Sequence, residues 1–335
     1  MKKAILIGVG GFGELWRDAI AQHNIKIVGI VDVSKENLIN AREYFKLSSN
    51  QCYLPGENWE SCNADFILDC SPFKYHLDNA RRAFQNGMHV LTVKPLSSNL
   101  DEALEMINLQ KYYNLKGMVA HQKRFYPVFR RLSEIVKENV IGEIKHVKVE
   151  MYLSGLGWEP GYQWRSKISE PTLYEATIHH LDIFQSVFKS EIKNIFYHSF
   201  NPPWSPFQGN STISALLETE NDIFINYNAT FAAKEDRFVA FDSGWIIEGT
   251  DGVIRIDNGK IYINGELESI LPVSPPLEEL NCIVLTEFLS YLNEDLNHEL
   301  SFENNLKSFI PLMCFEESKR QKKWINTKEY KRSVK

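Results

Sequence analysis

Residues 3–13 read KAILIGVGGFG and join a continuously apolar run to a glycine-rich turn. A short apolar run of this kind is typical of a buried strand. The turn fits the pattern G-x-G-x-x-G, in which the first glycine permits a tight bend, the second lets a phosphate group approach the backbone, and the third allows a helix to pack closely on the strand. We therefore expect the turn and a helix over 13–23 to hold the diphosphate of a dinucleotide. The residues predicted to form the turn are Gly8, Gly10, Gly11, Phe12 and Gly13.

A carboxylate, Asp32, ends the second apolar run, which reads IKIVGIV over 25–31. A carboxylate at this place accepts hydrogen bonds from the adenosine ribose and repels a 2′-phosphate, so the sequence favours NAD over NADP. Lys35 lies close enough to leave NADP possible. The alternative interpretation is a tight turn beside a helix-capping aspartate.

Strand and helix patterns go on alternating through the first third of the chain. Three further strands are expected at 65–70, 88–93 and 116–121. Helices are expected from the cap Ser34 to about Phe45, over 74–86, and for about 13 residues after a capping box of Ser98 and Asp101. Repeats of this kind predict an α/β Rossmann domain, a doubly wound parallel sheet whose chemistry lies at the carboxyl ends of its strands.

The pattern changes after about residue 140, where strands follow one another without helices between them. This predicts an α+β C-terminal domain with a large, mostly antiparallel open sheet. The strands are expected at 143–153, 192–199, 211–218, 222–231 and 237–248, with a hairpin of 252–257 and 260–265 around Asn258-Gly259. The helices are expected at 172–188, 277–293 and 302–322. The predicted domains are 1–121 and 122–335, with the last helix a candidate to pack back on the first.

Four stretches of the sequence resemble the Gfo/Idh/MocA oxidoreductases, the group of glucose–fructose oxidoreductase and inositol dehydrogenase. They are CSPFKYH (70–76), GMHVLTVKP (87–95), HQKRFYP (121–127) and TLYEATIHHLD (172–182). The resemblance implies an NAD(P)-dependent dehydrogenase that transfers a hydride between the nicotinamide and a hydroxyl or keto carbon of a sugar, a cyclitol or a sugar derivative. It also implies a homodimer or homotetramer formed through the C-terminal sheet.

The resemblance also implies roles for single residues. Lys94 matches the lysine of the family's Glu-Lys-Pro signature, near nicotinamide and substrate, although Val93 replaces the glutamate. The family pattern Asp-x-x-x-His-x-x-Asp is matched by Glu175, whose side chain is one methylene longer, and by His179 and Asp182. The residues that match the cofactor-binding positions are Ser71, Pro72, His76, Lys94 and Gln122.

The chemistry of these residue types agrees with hydride transfer. Oxidation of an alcohol needs a group that takes the hydroxyl proton, and His179 suits this acid/base role. Lys94 can stabilise the developing alkoxide. Residues 175, 179 and 182 have helical spacing and would share one helix face. The alternatives are a solvated polar stripe, or a metal pair of Glu175 and His179, although hydride transfer to nicotinamide needs no metal and we expect none.

Composition narrows the remaining classes. A net charge of −6 argues against a nucleic-acid partner, and no apolar stretch approaches the roughly 18 residues of a membrane helix. Five cysteines without a C-x-x-C pair indicate reduced thiols and a cytoplasmic protein. The aromatic segment at 157–165 predicts substrate contacts by Trp164 and Arg165. An NAD-dependent glycosidase that acts by redox elimination and a non-catalytic nucleotide and sugar sensor stay open.

Overall fold

The structure is a computed structural model, and it describes residues 1–154, 167–234, 238–293 and 297–334. The chain divides into two compact units. Unit 1 comprises Met1–Gln122 and Pro276–Leu306, and unit 2 comprises Lys123–Pro275 and Lys307–Lys335. No helix among the described residues has the length and apolar character needed to cross a membrane.

The strands and helices of the described residues are numbered in chain order. The strands are β1 (Lys3–Ile7), β2 (Lys26–Val31), β3 (Cys52–Tyr53), β4 (Phe66–Asp69), β5 (His89–Val93), β6 (Gly117–Ala120), β7 (Ile144–Tyr152), β8 (Ile192–Phe200), β9 (Thr212–Thr219), β10 (Phe224–Thr230), β11 (Trp245–Gly249), β12 (Val253–Asp257), β13 (Lys260–Ile263), β14 (Glu266–Ile270) and β15 (Ile325–Asn326). The helices are α1 (Arg17–Gln22), α2 (Lys35–Phe45), α3 (His76–Gln85), α4 (Leu100–Tyr112), α5 (Pro127–Lys137), α6 (Ile178–Phe188), α7 (Leu277–Asn293), α8 (Phe302–Gln321) and α9 (Thr327–Ser333).

Unit 1 is built on a parallel sheet that has six strands within the described residues, in the order β3-β2-β1-β4-β5-β6. The strands are almost wholly buried because helices cover both faces of a sheet of this kind, which explains their continuous apolar runs. The carboxyl ends of β1, β2, β4 and β5 therefore meet at one edge. The predicted doubly wound parallel sheet is confirmed.

Two local predictions in unit 1 need correction. The helix expected over 13–23 begins earlier, as a 3-10 helix over Gly11–Trp16 that continues into α1. The cap of α4 lies one residue later than predicted, at Asn99, whose side chain accepts a hydrogen bond of 2.9 Å from the N–H of Glu102. Glu102 in turn accepts from the N–H of Ser98, so the capping box forms with different partners.

Residues 276–306 lie in unit 1, whereas the predicted division placed them in the second domain. The reason is tertiary packing, because α7 lies against α1 and the 3-10 turn before it. Phe288 of α7 meets Phe66 of β4 edge to face at 5.1 Å. Asn281 donates a hydrogen bond of 2.9 Å to the carbonyl of Leu15.

Unit 2 contains an open sheet with nine strands in the described residues, in the order β14-β13-β12-β11-β7-β10-β9-β8-β15. Its pairs are antiparallel except that of β7 with β10, which confirms the predicted mostly antiparallel sheet. The hairpin predicted at Asn258-Gly259 joins β12 to β13.

The strand predicted over 237–248 is wrong for most of its length, since β11 spans only Trp245–Gly249. A turn at Phe241 and Asp242 interrupts the expected strand, and Gly244 follows with a φ of +71°. The buried carboxylate of Asp242 accepts hydrogen bonds from the backbone and side chain of Ser274 instead of facing solvent from a strand.

Candidate active site

The glycine turn after β1 is formed almost entirely by backbone. Gly8 has a φ of +78°, and a Cβ added there would lie 2.8 Å from the backbone carbon of Cys70. A Cβ at Gly13 would overlap the carbonyl oxygen of Gly8, and one at Gly10 would overlap the side chain of Asn37. No side chain fits at these three positions without displacing its surroundings. A turn without side chains at these positions lets a dinucleotide diphosphate approach the backbone closely.

Asp32 is bound directly to this turn. Its Oδ2 accepts hydrogen bonds from the N–H of Val9 at 2.9 Å and of Gly10 at 3.3 Å. Its Oδ1 accepts from the N–H of Ser34 at 2.8 Å and from Nδ2 of Asn37 at 3.2 Å. Only 9% of the residue is exposed. The structure thus brings the predicted acid and the predicted turn together.

His76 joins two loops at the carboxyl edge of the sheet. The ring is buried, with Nε2 2.9 Å from the carbonyl oxygen of Ser71 and Nδ1 3.1 Å from that of Pro95. Ser71 is held in addition by Asp69, whose Oδ1 accepts from the Ser71 N–H at 3.0 Å and hydroxyl at 2.6 Å. Sequence reasoning missed Asp69, although its position at the end of the apolar run DFILDC was a signal.

Lys94 follows β5 directly and is half-buried. Since β1, β2 and β5 are parallel strands of one sheet, Lys94 lies at the same edge as the glycine turn and Asp32. Val93, in the position of the family's glutamate, is buried in the sheet. The departure from the signature therefore replaces an acid with an apolar residue of the core.

Gln122 ends unit 1 and is 2% exposed. Its Nε2 donates a hydrogen bond of 3.1 Å to Oδ1 of Asn281, whose amide in turn binds the carbonyl of Leu15. Asn281 belongs to α7, far away in sequence, and sequence reasoning had no signal for it.

In unit 2, the acid–histidine pattern lies on a helix with an irregular start. Residues Leu173–Thr177 form a π-helix, which continues as α6. Glu175 lies in the π segment and is half-buried, whereas His179 and Asp182 lie in regular helix and are 5% and 3% exposed. The alternative of a solvated stripe is therefore wrong. Short π segments frequently mark functional positions, because they shift the register of the residues that follow.

Asp182 makes a bidentate ion pair with Arg124. The guanidinium donates from Nε at 2.8 Å to one carboxylate oxygen and from a terminal nitrogen at 2.6 Å to the other. Both side chains are at least nine-tenths buried. The sequence predicted that Asp182 contacts the substrate. It gave no sign of Arg124, which binds both carboxylate oxygens of Asp182.

His180 belongs to α6 and packs against the sheet of unit 2. Its Nδ1 lies 2.9 Å from the hydroxyl of Tyr227 and its Nε2 3.1 Å from the carbonyl of Phe241, on whose ring it stacks at 4.0 Å. Burial lowers the pKa of His180 to about 3. The Nζ of Lys123 lies 3.8 Å from the centre of the Phe241 ring, and His179 meets that ring edge to face at 6.1 Å. A cation and the predicted acid/base thus surround one aromatic side chain.

Two predicted substrate contacts, Trp164 and Arg165, lie outside the described residues. Within the described part of the chain, no three or more His, Cys, Asp or Glu side chains are grouped so that they could hold a metal ion.

The geometry of unit 1 defines a class of protein. A parallel sheet in the order 3-2-1-4-5-6, with a glycine turn after its first strand and an acid after its second, is a dinucleotide-binding Rossmann domain. Residues 2–121 match the model of an oxidoreductase family with an NAD-binding Rossmann fold, and residues 129–255 match the Gfo/Idh/MocA C-terminal domain. The chain belongs to the Gfo/Idh/MocA oxidoreductase family, and its N-terminal domain is NAD-binding.

Similar proteins cover several activities. A myo-inositol 2-dehydrogenase of Thermotoga maritima is 27% identical over 57% of this chain and 57% of its own length. A 2,7-anhydro-N-acetylneuraminate hydratase of Escherichia coli is 27% identical over 79% of this chain and 71% of its own. The fold is shared with a crystal structure of an Agrobacterium radiobacter oxidoreductase in complex with NAD+, L-tartaric acid and magnesium, at a TM-score of 0.86 and 18% identity, over 98% of this chain and 99% of that one.

Proposed function

We propose that this chain is an NAD-dependent dehydrogenase that acts on a CH–OH group of a small polyhydroxylated molecule, a sugar, a cyclitol or a sugar derivative. The observation that carries the proposal is Lys94, a half-buried cation at the sheet edge that also holds the glycine turn and Asp32. The relationship to a myo-inositol dehydrogenase supports this substrate class, as does the polyhydroxylated acid bound by the Agrobacterium protein.

The proposed mechanism divides the work between cofactor and protein. Bound NAD supplies the hydride acceptor. His179 takes the hydroxyl proton as general base, while the ammonium of Lys94 stabilises the negative charge that develops on the substrate oxygen. Glu175 assists His179, and the proposed substrate contacts are Trp164, Arg165 and Asp182. The carboxylate of Asp32 favours NAD over NADP, because it repels a 2′-phosphate.

The test is a measurement of absorbance at 340 nm with NAD and a panel of sugars, inositols and sugar acids. Lys94→Met and His179→Ala should each lower turnover by roughly 100-fold or more, since positioned acid/base groups contribute that much. Both variants should keep the wild-type Kd for NAD. Normal turnover in either variant would contradict the assigned roles.

A second candidate function is redox elimination, as in an NAD-dependent glycosidase. The hydratase relative favours it, because its substrate class is a modified sugar. This chemistry would release a leaving group, or add water, at constant NADH. If the protein binds NAD and a polyol but converts neither, it is a non-catalytic sensor. The departures from the family pattern at Val93 and Glu175 suggest this alternative.

We further propose a homodimer or homotetramer formed through the sheet of unit 2, and a cytoplasmic location. The oligomer rests on the family resemblance and on the half-buried outward residues of that sheet, and the location on the five cysteines, which are free in the structure.

A further inference from the structure

Asn37 lies where the dinucleotide-binding turn and Asp32 meet. It belongs to the first turn of α2, and its backbone N–H binds the cap residue Ser34. Its side-chain amide covers Gly10 so closely that a Cβ on this glycine would overlap it. The same amide donates to Oδ1 of Asp32 at 3.2 Å. Asn37 therefore occupies the space that the absent side chain of Gly10 leaves above the turn.

The carboxylate of Asp32 has no acceptor position to spare in this arrangement. An ionised carboxylate offers about four lone-pair sites. The N–H groups of Val9, Gly10 and Ser34 use three of them, and the amide of Asn37 uses the fourth.

The four donors differ in how easily they can leave. Three are backbone groups, fixed by the glycine turn and by the start of α2. The fourth is a side chain that can rotate about two bonds without moving the backbone. A ribose hydroxyl that donates to Asp32 will therefore displace Asn37 first.

We propose that Asn37 competes with the adenosine ribose for Asp32 and thereby sets the affinity and selectivity of the cofactor site. The proposal rests on the proposed NAD-dependent function. In the free protein Asn37 keeps a buried carboxylate satisfied, and leaving it unsatisfied would be costly. When NAD binds, the ribose diol takes over this acceptor site and Asn37 rotates away. The lost hydrogen bond weakens binding of NAD. NADP gains less from the exchange, because its 2′-oxygen carries a phosphate and cannot donate, which leaves only the 3′-hydroxyl as a donor.

The test is Asn37→Ala, with Kd values for NAD and for NADP measured by calorimetry without substrate. Removal of the competing hydrogen bond should tighten NAD binding roughly 2- to 10-fold, the effect expected of one net hydrogen bond. The Kd for NADP should change less than the Kd for NAD. Asn40→Ala is the matched control, because Asn40 is exposed one turn further along the same helix and should change neither Kd.

Several results would overturn the proposal. Unchanged or weaker NAD binding in Asn37→Ala would make Asn37 a bystander or a direct cofactor ligand. Equal tightening for NAD and NADP would mean that the substitution opens space without releasing Asp32. Asn37→Ser, which is too short to reach Asp32, gives the same comparison if the alanine variant does not fold. Failure of the wild type to bind either dinucleotide would refute the proposed function itself, a result distinct from all of these.

Discussion

The side chain of His76 positions the catalytic candidate Lys94 by holding the loop that contains it. Its ring links the carbonyl of Ser71, after β4, to the carbonyl of Pro95, the residue after Lys94. The two loops follow neighbouring strands, so their relative position depends on a few contacts such as this one. A histidine matched to the cofactor-binding motif is thus buried, and its observed role is to join the loops.

We expect His76→Gln to lower kcat with little change in the Kd for NAD. A displaced Lys94 would stabilise the alkoxide poorly, and misplacement by about 1 Å can cost roughly 100-fold in rate. His89→Gln is the matched control, because His89 lies at the opposite end of β5 and its ring is also bound to the backbone, where it accepts from the N–H of Lys116. A His76 variant with wild-type kcat would show that Lys94 is held in place by other contacts.

The buried pair of Arg124 and Asp182 predicts a large effect on stability. Asp182→Ala leaves a buried guanidinium without its carboxylate, which costs about 3–5 kcal/mol in such pairs. Asp78→Ala removes an exposed partner of Arg81 and should cost at most about 1 kcal/mol. Urea unfolding of both variants measures the difference, and equal losses would contradict this account of the pair.

The predictable part of the site consists of residues with a local pattern. Gly8 and Asp32 stand in a motif whose spacing reflects one strand–turn–helix unit, so the sequence alone brings them together. Asn281 and Arg124 have no such pattern, because their partners are distant in the chain and chosen by packing. Asn37 is intermediate, since it lies only five residues from Asp32 but in a helix where asparagine is unremarkable.

At the scale of elements, α6 and the sheet of unit 2 are joined by a neutral histidine. His180 has an ordinary pKa of 6.5 and a pKa of about 3 in the folded protein, because burial disfavours its charged form. Between these values the unfolded chain binds the proton and the folded protein does not. The contribution of His180 to stability is therefore complete above pH 6.5 and is lost as the pH falls toward 3.

We expect the free energy of unfolding to fall with decreasing pH between about 6.5 and 3, with up to about 1.4 kcal/mol per pH unit from His180. The variant His180→Gln keeps a polar group but has no titrating ring, so its stability curve should be flatter by that amount. Denaturant titrations at several pH values provide the comparison. Parallel curves for the two proteins would show that His180 titrates normally.

Strands and helices were predicted correctly where burial is uniform along the element. The prediction failed where the element is short or is determined by tertiary contacts. β1, β2 and β5 are continuous apolar runs, which only a sheet covered on both faces explains. β3 and β15 have two residues each, too few for any periodicity. The helix α5 was missed although the sequence contains its signal. Pro127 stands at the first helical position and is followed by buried residues at helical spacing.

At the scale of the whole molecule, the outward face of the unit 2 sheet is the predicted assembly surface. Neighbouring strands place Leu216, Asn226, Lys148 and Ile246 in one row across it, all half-buried. Light scattering should find a dimer or tetramer. Leu216→Arg should shift the measured mass toward that of the monomer, because it places a charge in the middle of a self-complementary interface. A monomeric wild type would refute the prediction.

The return of residues 276–306 to unit 1 has a consequence for synthesis on the ribosome. Residues 1–122 of unit 1 emerge before residues 123–275, yet they lack α7 and the phenyl ring of Phe288 that faces β4. The surface that α7 covers stays exposed until all of residues 123–275 have been translated. Domains usually fold in order from the N-terminus, but unit 1 cannot finish folding before residues 276–306 have been translated.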